Sequence, residues 1–89
     1  MGFSGMNPAA IESVARELVS CSSRINGVRG AVDSIVQRTQ ANWVGQDASH
    51  FAADWQSNRS SLTTISQAMQ DLSNRAKNQA NAQRKASNQ

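Results

Sequence analysis

Tyrosine is missing from this chain altogether, and cysteine, histidine and proline occur once each. A single Cys21 excludes an intrachain disulfide, and together with His50 it cannot supply the three or four protein ligands of a zinc site, so no metal or cofactor is expected. No run approaches the roughly 20 apolar residues that cross a bilayer. The opening MGFSGMNPAAIE lacks the basic start and apolar stretch of a Sec signal, and Met6 stands where a myristoylation motif wants Ser or Thr. If the protein leaves the cell, a Sec-independent route carries it. A chain of 89 residues has room for one domain and, without disulfide or metal, buries only a modest share of its surface. A partner chain is the stabiliser that remains.

What the chain does have is regular spacing. Its hydrophobic fraction is 38% and its mean hydropathy −0.55, polar for a globular domain, yet the apolar residues recur with a period that disorder does not produce. Asn7-Pro8 is a helix start, Asn as N-cap and Pro preorganised at the first helical position. From there Ile11, Leu18, Ile25, Val32 and Thr39 recur every seven residues, and Val14, Cys21, Val28, Ile35 and Asn42 form a second series offset by three. Written as a heptad abcdefg, these are the a and d positions of a helix over about 8–41. Gly27 and Gly30 fall at outward c and f positions and leave the register unshifted, which predicts one helix, softened or bent there. A second seam runs through Ala48, Trp55, Leu62, Met69 and Ala76, with Phe51, Asn58, Ile65 and Leu72 as its d series. This predicts a helix over about 47–80 with Asp47 as N-cap. Residues 1–7 read as a flexible leader. The small and polar residues 81–89 read as a disordered basic tail with nothing to bury.

The connection 42–46 is short enough to make the helices antiparallel neighbours, each about 50 Å long at 1.5 Å per residue. The fold expected is all-α, an antiparallel helix-turn-helix hairpin. With the a and d stripes facing each other, flanking residues such as Ala15, Val36, Ala52 and Ala68 stay partly wet, and a second hairpin would cover them in a four-helix bundle. In the turn, Gly45 can take positive φ to stop the first helix and reverse the chain. Trp43 either plugs the open end of the hairpin or adds an aromatic recognition point.

No pair of carboxylates, nucleophile with base, or Gly-rich phosphate loop is placed for catalysis, so a non-enzyme is expected. His50 and Asp54 read as an i,i+4 surface ion pair, Cys21 as a buried structural thiol, and Asn58 as a register-setting or solvent-facing polar residue. The net charge of +3 and pI near 10 raise an alternative, a cytoplasmic helical nucleic-acid-binding or coiled-coil adaptor protein. However, Arg16, Arg24, Arg29, Arg38, Arg59 and Arg75 are interrupted by Glu12, Glu17, Asp33 and Asp71, as on a solvated surface. Only Lys77, Arg84 and Lys85 form a purely basic stretch.

Trp43 and Gly45 at mid-chain, between two amphipathic helices and followed by Ala48, Phe51 and Trp55, resemble the WXG or ESAT-like proteins exported by type VII (ESX) secretion systems. The resemblance spans essentially the whole chain. It implies a hairpin that pairs head to tail with another WXG-type hairpin, is exported folded, and is recognised by the secretion ATPase without binding a small-molecule substrate. Trp43 and Gly45 would form half of a bipartite export signal, whose other half is a Tyr-x-x-x-Asp/Glu motif in the partner's tail. This chain has no tyrosine, and no acidic residue follows Ala76. The resemblance therefore implies a heterologous partner that supplies the motif, with a homodimer as the alternative.

Overall fold

The computed structural model describes residues 6–43 and 45–87. They form two helices, α1 over Pro8–Asn42 and α2 over Gln46–Ser87, packed antiparallel as a plank of 66 × 18 × 14 Å. Asn7 caps α1 with its side chain accepting the N–H of Ala10 at 2.8 Å, and Pro8 occupies the first helical position. The helix runs unbroken through Gly27 and Gly30, where a side chain would meet nothing within 4 Å. Residues 1–5 of the expected leader and Val44 of the turn lie outside the described residues.

The ends of the helices differ from the sequence expectation in three ways. Trp43, not Gly45, stops α1: it turns extended (φ −127°, ψ 111°) while its N–H still closes the last turn on the Thr39 carbonyl at 2.7 Å. Gly45 takes φ +154° and leads into α2, which begins at Gln46, so Asp47 sits inside the first turn. There its carboxylate faces the positive end of the helix dipole. The tail expected to be disordered over 81–89 is helical through Ser87. None of 81–87 is itself buried, but Ala80 just before them is fully enclosed with Ile11, Ala15 and Ala76, and Arg84 pairs with Glu12.

The stripe that joins the helices is also rotated from the expected a/d seam. Ala15, Ser22 and Val36 of α1 are buried with Ile11, and Ser66, Ser73 and Ala80 of α2 with Ala48, Trp55 and Ala76. These are a and e positions. Because successive residues turn by about 100°, an a/e stripe is centred about 50° away from an a/d stripe. Ala15 and Val36, expected to stay partly wet, are at 0% and 6% exposure, whereas the d residues are displaced outward.

The e positions supply the reason: Ala15, Ser22, Ser66, Ser73 and Ala80 are small, so two backbones can approach closely along them. Serine hydroxyls then satisfy one another in the dry interface. Ser22 Oγ and Ser66 Oγ lie 2.6 Å apart, Ser22 Oγ also donates to the Ser66 carbonyl at 3.2 Å, and Gln70 donates to Ser22 Oγ at 3.0 Å. Nearer the open end, Ser73 Oγ donates to the Ala15 carbonyl at 2.9 Å.

Candidate functional site

Rotating the seam gives the plank two unlike faces. Side chains at d positions of both helices emerge on one broad side, and those at b and f on the other. The d side is apolar and open: Val28 is 58% exposed, Ile65 46%, Ile35 44% and Phe51 41%. Val14, Cys21 and Leu72 are half-buried along the same stripe. The a residues Leu18, Ile25, Val32, Leu62 and Met69 are half-buried between this face and the seam. Of the core residues expected from sequence, only Ile11 and Trp55 are buried within one hairpin. Asn58 is exposed, a polar position between the apolar Phe51 and Ile65 of the stripe in α2. Cys21 carries a free thiol on this face and is not enclosed.

At the tip, Trp43 is 53% exposed. With Gly45, Gln40, Ala48 and Ser49 it borders a shallow recess of about 170 Å³. Its backbone is held by the last turn of α1, while Thr39 Oγ1 bonds to the Ile35 carbonyl and Asn42 Nδ2 to the Arg38 carbonyl. The indole is therefore presented, about half exposed, by a well-bonded helix end.

Just behind the tip, on the polar face, lies a cluster that sequence reasoning assigned to solvated surface. The Asp33 carboxylate accepts the Trp55 indole N–H at 2.7 Å and the Arg59 guanidinium at 2.9 Å. The hydrogen bond from Arg59, then that from Trp55, holds the Asp33 carboxyl below its ordinary pKa, and the same Asp33 bond raises that of Arg59. Arg29 crosses the seam to Thr63 at 2.7 Å. Two of the cations that a nucleic-acid role would use are thus engaged inside the hairpin. A signal for these pairs was present in the numbering: reflecting the chain about the turn sets 33 opposite 55, 22 opposite 66 and 15 opposite 73, the pairs that bond.

His50 and Asp54 are exposed and are not ion-paired; the ion pairs among the described residues are Arg59–Asp33 and Arg84–Glu12. Among the described residues no group of His, Cys, Asp and Glu could hold a metal, and no helix is long and apolar enough to cross a membrane.

Comparison with known proteins agrees with this geometry. The WXG100 model, described as proteins of 100 residues with WXG, matches residues 5–87. No curated protein matches significantly. Among solved structures, the chain is similar to Geobacillus thermodenitrificans EsxA, crystal form I, with a TM-score of 0.87 and 19% identity over 94% of this chain and 91% of that one. At that identity the likeness is one of fold.

Proposed function

Since this chain belongs to the WXG100 family of small helical hairpins associated with type VII secretion, we propose that it is a non-enzymatic secretion substrate or co-exported partner that acts through protein–protein contact. The observation that carries this is the open apolar face of Val28, Ile35, Phe51 and Ile65. A face this long and apolar stays out of water only against another chain. A second hairpin covers it with the same physics that joins α1 to α2, giving a four-helix bundle. The protein would be cytoplasmic before export and extracellular or at the cell surface afterwards, carried by a Sec-independent route.

The partner we favour is a different WXG-type hairpin. The resemblance calls for a Tyr-x-x-x-Asp/Glu tail motif, and this chain contains no tyrosine. The partner must also meet the exposed Asn58 with a polar group, since an amide buried without one costs about 1–3 kcal/mol. Recognition by the secretion ATPase would then use Trp43 and Gly45 of this chain and the tail of the other.

The test is export from a type VII-competent host with and without a co-expressed WXG-type neighbour. Secretion only with the neighbour supports the heterodimer, and full secretion of this chain alone overturns it.

A further inference from the structure

The apolar face and the turn leave one charged feature unused. Six of the nine Lys and Arg residues lie outside positions 25–65, toward the open end of the plank, against three of the six carboxylates. On the polar face of that end, Glu12 and Arg16 of α1 and Lys77, Asn81 and Arg84 of α2 line a groove of about 260 Å³. Its single carboxylate, Glu12, is taken by Arg84. Arg16 and Lys77 are exposed and have neither a hydrogen-bonded nor an ionic side-chain partner among the described residues.

We propose that this groove docks an acidic peptide segment of a partner protein. Lys77 and Arg84 stand two turns apart on one side of α2, about 10 Å at 1.5 Å per residue. That spacing is too wide for a single phosphate but suits two carboxylates about three residues apart in an extended peptide, at roughly 3.3 Å per residue. Arg84 already pairs with the Glu12 carboxylate, and Asn81 adds an amide donor between the two cations. A flat anionic bilayer touches the tips of such cations without entering a recess between two helices. Because the groove lies on the face opposite Val28 and Ile65, a chain that covers the apolar stripe leaves it free. Its failure and that of the pairing reading are therefore separable.

The experiment titrates the isotope-labelled protein with a hexaglutamate peptide at low salt, following backbone amide shifts. Affinity is measured in parallel by anisotropy of a fluorescent peptide. Shifts concentrated at Glu12, Arg16, Lys77, Asn81 and Arg84 are expected. The double variant Arg16→Gln/Lys77→Gln, which keeps the aliphatic stems and the helicity by circular dichroism, should lose affinity by about tenfold or more, as charge pairs at a docking site do. Arg38→Gln, at the other end, should bind unchanged. Undiminished binding by the double variant, shifts centred on the turn, absence of binding, or capture by phosphatidylglycerol vesicles without capture of the peptide would each overturn the proposal.

Discussion

The indole N–H of Trp55 on α2 donates to the Asp33 carboxylate on α1 at 2.7 Å, and Arg59, one turn further along α2, grips the same carboxylate. This is the charged cross-link of the hairpin near its tip; Glu12–Arg84 is its counterpart at the open end, and between them small residues and hydroxyls join the helices. The Asp33 pKa lies below its ordinary value of 3.8, so the folded state favours the ionised form. That contribution is present above the ordinary value and is lost as pH falls through the lower folded one. Trp55 emission should therefore change on acidification below about pH 4, and Asp33→Asn should abolish that step while lowering the melting temperature at pH 7. An unchanged acid step in Asp33→Asn would show that other carboxylates control it.

At the tip, Trp43 contributes little to packing. Trp43→Ala is expected to leave helicity and the melting temperature nearly unaltered, because the side chain is half-exposed, while lowering export into the medium. A large loss of helicity together with export would instead make the tryptophan a structural plug.

The apolar face should respond in the opposite way. Val28→Asp and Ile65→Asp place a charge where the single hairpin already admits water, so the α1–α2 contact is spared. A partner surface would have to bury that charge unpaired, at a cost of several kcal/mol. Light scattering should show the mass of the complex falling to that of one hairpin, and retention of the full complex mass would place the interface elsewhere.

Within the seam, size matters more than polarity. Ser66→Ala leaves Ser22 Oγ bonded to the backbone carbonyl of residue 66 and to Gln70, and should cost about 1 kcal/mol. Ser66→Leu forces the backbones apart and should cost about 1–3 kcal/mol or more. Thermal melts of the two variants give the comparison.

Gly27 and Gly30 sit in α1 with open space around them, so Gly27→Ala and Gly30→Ala should each raise stability by about 0.5–1 kcal/mol through helix propensity. A loss at either position would show that a partner chain approaches the backbone there.

Much of this molecule is written in the spacing of its side chains. The sevenfold recurrence of Ile11, Leu18, Ile25 and Val32, and again of Ala48, Trp55, Leu62 and Met69, specifies two helices whatever surrounds them, because a helical period repeats only where a face is to be buried. Asn7-Pro8 set the start of α1 by local capping alone, and the short connection made the helices antiparallel. Trp43 and Gly45, between two such helices, marked the family.

What hydrophobicity could not tell was which stripe each helix turns toward the other. An a/d reading ranks Val28 and Ile35 above Ser22 and Ala15, yet close approach of two backbones favours the small e residues, and the larger d residues are left for another chain. For the same reason Ala80, at an e position, is enclosed beside the seam residue Ala76, and the helix they stabilise continues through Arg84 to Ser87. Asp33, Arg29 and Arg59 read as solvated charges when each helix is taken alone, and only the antiparallel register, by setting 33 opposite 55 with Arg59 one turn along, turns them into cross-links. The sequence by itself determined two amphipathic helices and a glycine-containing turn, because capping, propensity and periodicity act within a few residues. The tertiary structure decided which face is inside and which is left open, because that depends on how closely two particular surfaces can approach.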